Sequence, residues 1–368
     1  MKSHRRMVVK VGSSSLVDDA GRLSVEKLRR IVHQIVELQQ SRQWQVVLVS
    51  SGSIAAGVSH LGWRRASITL PEKQAAAAVG QTLLMETYQH LFNECSLAVG
   101  QVLLTRADIE DRKRFVHIRN TMLTLMRNGI IPIVNENDTV AVEEIRFGDN
   151  DTLASLTALV TEADKLVLLT DIDGLYTADP RARPDAARIS DVWEITEDIE
   201  RLAGGAGSSV GTGGMQTKVA AAKIAVQAGT DVIVTSSRID QVLLQIAADT
   251  AVGTVFHARP EPWRLRQSWL AHGPHPEGVI DIDDGAAHAL RTRPSSLLLP
   301  GVVWVEGDFQ EGAVVELTVR GHVLGKGITN FSARDLQMLL ERRQQGERFY
   351  NLHEVIHRND LVLIEGGR

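Results

Sequence analysis

The stretch Met7-Val8-Val9-Lys10-Val11-Gly12-Ser13-Ser14-Ser15 decides the fold class. Its apolar run reads as a short buried strand, and the Gly/Ser run behind it ends that strand in a turn. Strands that are apolar on both faces belong to parallel sheets covered by helices. Lys10 is the anomaly, because a buried ammonium needs a partner or an anionic ligand. Gly12 and Ser13, just past it, are small enough to let backbone N–H groups approach a phosphate. Alone, the same residues are also an ordinary turn.

Working outward, residues 25–38 carry apolar side chains at 25, 28, 31, 32, 35 and 38, which is helical spacing. Residues 45–49 form a second apolar run, followed by Ser50-Ser51-Gly52-Ser53 and a helical Ala/Ile stretch. Residues 71–92 predict a long Ala-rich helix with a break at Gly80. Further strands are expected at 97–104, 130–134, 165–169 and 231–234, with helices at 119–127, 149–159 and 214–227 between them. Strands alternating with helices predict an α/β domain, a three-layer mainly parallel sheet covered on both faces.

The pattern changes near residue 258. Residues 258–278 hold four of the ten prolines, Pro260, Pro262, Pro274 and Pro276, and read as a linker without regular structure. Beyond it come short alternating runs at 296–299, 302–306, 313–319 and 323–328, punctuated by Gly307, Gly312, Gly321 and Gly327, with one helix at 333–341. The expected organisation is an α/β domain over 1–258, a Pro-rich linker over 259–277 and a small mostly-β domain over 278–368.

Composition agrees with a globular chain and excludes several classes. Two domains suit 368 residues, of which 43% are hydrophobic and 23% charged. A net charge of −5 argues against a polyanion-binding protein. The single Cys95 excludes an intrachain disulfide framework and reads as a packed thiol. The basic start (Lys2, Arg5, Arg6) is not followed by a long enough apolar run for a signal peptide, and no segment reaches 18 uninterrupted apolar residues. A cytoplasmic protein without a membrane span is expected.

The candidate chemistry lies in turns at strand ends, where open α/β sheets bind ligands. Ser50 to Ser53 either caps a helix or lines a site. Six glycines between 204 and 214 lead into Met215-Gln216-Thr217-Lys218 and a helix N-terminus, an arrangement suited to clamping a nucleotide or to a surface loop. Neither a Walker A loop nor a Gly-x-Gly-x-x-Gly fingerprint occurs. Asn135-Glu136-Asn137-Asp138 follows one strand, and Gly148-Asp149-Asn150-Asp151 precedes a helix, where the carboxylates can also serve as caps. Thr170-Asp171-Ile172-Asp173-Gly174 is a turn whose two carboxylates lack a third metal ligand. His353-Glu354-Val355-Ile356-His357 matches a zinc-protease pattern, but in a short run of a β domain it reads as a chance match. His272 and His275 are expected to be solvated linker residues, and Glu341, Arg342, Arg343 and Arg348 a solvated helix end.

Taken in order, these motifs resemble the amino acid kinase family. The resemblance rests on Val9 to Ser14, Val49 to Gly57, Val134 to Asp138, Gly148 to Asp151, Leu169 to Asp171 with Gly174 to Tyr176, and Gly211 to Lys218. Asp281-x-Asp283-Asp284-Gly285-Ala286 and Ser295 to Val302 resemble a PUA module. The resemblance implies an amino acid kinase-like α/β fold with a PUA-like β domain. It implies transfer of the γ-phosphoryl of ATP, with Mg²⁺, to the γ-carboxylate of L-glutamate, the first step of proline biosynthesis. Lys10 and Lys218 would stabilise the transferring phosphoryl, and Asp151 would hold both lysines. Ser51, Asp138 and Asn150 would bind glutamate, with Asn135 and Asp149 nearby. Lys10, Gly12, Ser13, Thr170, Asp171, Thr212, Gly213, Gly214, Met215, Gln216, Thr217 and Lys218 would bind ATP. Ser53 departs from the alanine common in the family and adds a hydroxyl beside the Ser51 turn. The resemblance further implies feedback inhibition by L-proline, and a homo-oligomer is expected. Two alternatives remain open: a kinase for acetylglutamate or aspartate, or an RNA-binding regulator, since PUA modules bind RNA elsewhere. Residues 278–368 hold 10 Lys and Arg against 13 Asp and Glu, a balance that disfavours RNA.

Overall fold

The computed structural model describes all residues except 1–3, 19–21, 42, 64–67, 142–149, 181–182, 184, 205–213, 251, 294, 348–352 and 365–368. It divides into two compact units, 1–262 and 263–368.

In the first unit the chain runs β1 (Arg5–Val11), α1 (Val25–Gln40), β2 (Trp44–Ser50), α2 (Ser53–His60), α3 (Leu70–Asn93), β3 (Val99–Leu104), α4 (Arg106–Glu110), α5 (Arg112–Arg127) and β4 (Ile131–Glu136). It continues through α6 (Asn150–Thr161), β5 (Lys165–Thr170), β6 (Asp191–Val192), α7 (Glu197–Ala203), α8 (Met215–Gln227), β7 (Asp231–Ser236), α9 (Val242–Ala247) and β8 (Thr254–Phe256). The strands form one sheet in the order β3-β4-β2-β1-β5-β7-β8-β6. Every pairing is parallel except β7 with β8.

Strand periodicity of two sorts the side chains of β1 between the layers. Met7, Val9 and Val11 enter a core shared with α1, α3 and α9. Val8 and Lys10 alternate with them, and Lys10 reaches the starts of α6 and α8 on the opposite side of the sheet. The three-layer arrangement expected from the alternation of strands and helices is present.

Helix α3 runs unbroken through Gly80, so the predicted break does not exist. The glycine is there for another reason. A Cβ on Gly80 would lie 1.8 Å from the Ser53 carbonyl oxygen, and one on Gly57 would lie 1.8 Å from that of Ala76. The two glycines let α2 and α3 cross backbone to backbone. This closeness sets Ser53 and the α3 face carrying Gln81 against the end of β4.

In the second unit, α10 (Leu265–His272), β9 (Gly278–Ile282), α11 (Asp284–Thr292), β10 (Val302–Gly307), β11 (Val314–Val319), β12 (His322–Ile328), α12 (Ala333–Gln344) and β13 (Leu361–Leu363) follow in sequence. The sheet order is β10-β9-β11-β12-β13. The region expected to be a plain linker contains α10, which buries Ser268, Trp269, Leu270 and Ala271. The prolines flank this helix rather than interrupt it, which is why their density misled. His272 is half-buried and its ring lies 5.7 Å from that of Trp263, so it is not a solvated linker residue. The run 296–299 is not a strand but a single bridge, Leu297 to Ile356, followed by a 3-10 turn. Arg343 does not belong to a solvated face: it donates to the carbonyls of Leu299, Pro300 and Val302, tying α12 to the segment before β10. Arg348 lies outside the described residues.

Candidate active site

The C-terminal ends of β1, β2, β4 and β5 and the N-terminal ends of α6 and α8 converge on one edge of the first unit's sheet. Lys10 stands between Val49 of β2 and Leu168 of β5 in the central register and is buried. Its ammonium meets Asp151 Oδ1 at 2.7 Å. Lys218 Nζ donates to the other carboxylate oxygen at 3.0 Å, and Thr217 Oγ1 lies 2.9 Å from it. Asp151 is fully buried and Lys218 nearly so.

Two lysines sharing one aspartate carry one more positive than negative charge. Asp151 offsets the mutual repulsion of the ammonium groups and fixes their positions. Buried charges of this kind persist only when paired. An arrangement of this kind can meet an anion brought to the sheet edge.

Beside it lies a chain of amides. Asn150, the first residue of α6, directs Nδ2 at the Ser50 carbonyl (3.0 Å), Ser51 Oγ (2.8 Å) and Asn135 Oδ1 (3.0 Å). Asn135, at the end of β4, also accepts the Glu136 backbone N–H at 2.9 Å and donates to Gln81 Oε1 at 2.8 Å. Ser53 Oγ donates to Asp138 Oδ2 at 3.2 Å. Ser51 does not cap α2: the N-cap of that helix is Gly52, at φ +99°, and no side chain caps it. Gly52 turns the chain through the left-handed region and leaves the Ser51 hydroxyl for Asn150.

On the far side of Lys10, the Gly12 N–H reaches the Leu169 carbonyl at 3.4 Å, which brings the Gly12-Ser13 turn beside Thr170. Thr170 Oγ1 donates to Asp171 Oδ1 at 3.0 Å. Gly214, Met215 and Gln216 open α8 immediately before Thr217 and Lys218. The structure therefore brings together Lys10, Asp151 and Lys218, and separately Ser51, Asn135, Asn150 and Asp138, along one sheet edge. Asp149, Thr212 and Gly213 lie outside the described residues.

Two residues at this site were not singled out by the sequence. Gln81 holds Asn135, and Tyr88, seven residues on along α3, is fully buried with its hydroxyl 3.0 Å from Ser50 Oγ. Burial pushes the Tyr88 phenol well above its ordinary value, so it stays protonated. Both sit two turns apart on one helical face, a spacing visible in the sequence, but nothing there distinguishes them from packing residues.

Other sequence candidates do not form sites. Asp173 accepts from Tyr176 Oη and pairs with Arg188. His353 to His357 carries a bend at Val355 and the isolated bridge at Ile356 and forms no helix, which zinc ligation would need. Cys95 is half-buried against the core of the first unit.

Comparison with known proteins agrees with this fold. Residues 5–236 match the amino acid kinase family and residues 278–345 the PUA domain. A protein of Carboxydothermus hydrogenoformans described as glutamate 5-kinase is 45% identical, with 99% of each chain aligned. One of Moorella thermoacetica with the same description is 44% identical over 98% of this chain and 96% of its own. Among solved structures, a carbamate kinase from Giardia lamblia bound to AMP-PNP aligns with 70% of this chain and 100% of its own, at a TM-score of 0.52 and 17% identity, a likeness of fold. The chain belongs to the amino acid kinase family and carries a PUA domain after the kinase domain.

Proposed function

We propose that this protein transfers the γ-phosphoryl group of ATP to the γ-carboxylate of L-glutamate, giving γ-glutamyl phosphate and ADP, the first step of proline synthesis. The observation that carries the reading is the buried Lys10–Asp151–Lys218 set at the sheet edge, beside an amide-rich cluster. Relatives described as glutamate 5-kinase, aligned over nearly the whole chain, select the acceptor.

The chemistry asks little of the protein beyond placement and charge. A glutamate carboxylate is already ionised, so its oxygen attacks phosphorus without a general base. The bond to the bridging oxygen breaks as ADP leaves. Negative charge on the transferring oxygens is met by the ammonium groups of Lys10 and Lys218, held in place before the reaction by Asp151. Asp151 acts by positioning and takes no proton.

In this reading Ser51, Asn150, Asn135 and Asp138, with Asp149, bind the amino acid. Gly12, Ser13, Thr170, Asp171 and residues Thr212 to Lys218 bind the nucleotide. Mg²⁺ fits as a passenger of ATP, because it is commonly bound through phosphate oxygens and water. Among the described residues no cluster of three or more His, Cys, Asp or Glu is arranged to hold a metal by itself. When bound, the ion supplies further neutralisation of phosphate charge.

L-Proline shares the α-carboxylate and cationic nitrogen of glutamate and lacks the γ-carboxylate, so the same subsite would hold it without reaction. Feedback inhibition by proline, competitive with glutamate, follows. A homo-oligomer in the cytoplasm completes the reading. No described helix is long and apolar enough to cross a membrane.

A coupled assay with ATP, Mg²⁺ and L-glutamate, run beside N-acetylglutamate and aspartate, tests the proposal. Turnover confined to glutamate is expected. Preference for either other acceptor would overturn the substrate assignment while leaving the phosphoryl site intact.

A further inference from the structure

We propose that Gln81 is a positioning residue for the amino-acid subsite: its side-chain oxygen fixes the Asn135 amide, and through it the orientation of Asn150 and Ser51. The proposal rests on reading that cluster as the acceptor side of the kinase.

The direction of every amide in the chain is dictated by backbone groups. Asn150 lies 3.0 Å from the Ser50 carbonyl, which can only accept, so the Asn150 atom there is its NH₂. Asn135 lies 2.9 Å from the Glu136 backbone N–H, which can only donate, so the Asn135 atom there is its oxygen. That oxygen also receives Asn150 at 3.0 Å. The Asn135 NH₂ must then point the other way, at Gln81 (2.8 Å), with Ser53 Oγ at 3.5 Å. Gln81 consequently has to present its oxygen, and its own NH₂ is the end left over.

Among the described residues, Gln81 Nε2 is buried with no hydrogen-bond partner. A buried donor without an acceptor lowers stability. A glutamine that tolerates this to keep its oxygen on Asn135 is better explained by what Asn135 does than by folding. The crossing of α2 and α3 at Gly57 and Gly80 brings Gln81 to this position, next in sequence to the closest backbone contact. Gln81 thus stands behind a fork. One arm leads through Asn150 to Ser51, and the other through Ser53 to Asp138.

The test is a double-mutant cycle on the full-length enzyme, with Gln81→Met and Asn135→Ala, varying glutamate and ATP separately. Gln81→Met should raise KM for glutamate by roughly tenfold, within the range for residues coupled in one network, and leave KM for ATP within about twofold. In the Asn135→Ala background the same change should move KM for glutamate by less than about twofold, because the link it acts through is already gone. A purely packing role for Gln81 predicts equal effects in both backgrounds, and that result overturns the proposal. So does an equal rise in both Michaelis constants, or no rise at all. Thermal melting checks folding, and Gln81→Leu serves for the same cycle if Gln81→Met does not fold. If the wild-type enzyme prefers a different acceptor, the glutamate reading fails by itself, and the cycle run on that acceptor still decides the role of Gln81.

Discussion

Lys10, Asp151 and Lys218 divide the work of the site unequally. On the proposed reaction each lysine contributes a charge where phosphoryl charge develops, whereas Asp151 makes both lysines tolerable in a buried place. Lys218→Ala should therefore fold, since Asp151 keeps Lys10 as a partner, and lower kcat by roughly 10²- to 10³-fold. Near-normal turnover in a steady-state assay would remove Lys218 from the catalytic set. Asp151→Asn should be worse for the fold. It leaves two buried ammonium groups without their shared carboxylate, at a cost of about 3–5 kcal/mol. Denaturant melts of the two variants compare these costs directly. On the amino-acid side, Asp138→Ala and Asn150→Ala should raise KM for glutamate far more than KM for ATP, and should weaken proline inhibition in parallel. Inhibition by proline that survives Asp138→Ala unchanged and ignores glutamate concentration would instead place the inhibitor at a separate site.

At the scale of elements, the crossing of α2 and α3 is the joint on which the amino-acid side depends. Gly80→Ala places a methyl group where a backbone carbonyl now stands, so the helices must separate. A loss of about 1–3 kcal/mol is expected from overpacking of this kind, together with a raised KM for glutamate, because Ser53 and Gln81 move with their helices. A variant that keeps full stability would show that the joint is loose. The start of α3 is held differently. Glu72 accepts the Thr69 backbone N–H at 2.6 Å and the Thr69 hydroxyl at 2.8 Å, and these hydrogen bonds hold its carboxyl below the usual range. A carboxyl lowered on folding stabilises the fold above its unfolded value, near 4.5, and loses that contribution as pH falls through the lowered one. Thermal melts of Glu72→Gln and wild type should thus differ at neutral pH and converge in acid. The effect is small at this exposed position.

For the whole molecule, the division after Pro262 puts every residue assigned to the reaction in the first unit. Pro262 itself packs near Gly229, where an added Cβ would lie 2.9 Å from the proline Cβ, so the first unit continues past Arg259. A chain ending at Pro262 should fold, phosphorylate glutamate and respond to proline. Loss of activity in a folded truncation, checked by circular dichroism and size-exclusion chromatography, would show that the PUA domain or an oligomer interface completes the site. The PUA domain's own core, built on Ile280, Leu317, Leu336 and Val355 among others, gives it the means to remain folded after separation.

Sequence alone determined most of the periodic elements and where polar clusters stand at strand ends. The spacing of residues 25–38 marked α1, although Val25 is exposed and Val36, outside the pattern, is buried. Lys10 was conspicuous because a charge within an apolar strand is costly, and that cost is a local property. The position of α10 was hidden because proline density reports where helices end, not that none lies between. Gly80 was misread for a similar reason: a glycine in a helix marks either a break or a close approach, and only the neighbouring helix distinguishes them. The pairing of Asp151 with both lysines, the role of Ser51 as a hydrogen-bond partner instead of a cap, and the hold of Gln81 on Asn135 join residues from 54 to 141 positions apart in sequence. Such contacts depend on which strands lie side by side and how closely two helices cross. Those are decided by packing across the whole sheet, so only the tertiary structure reveals them.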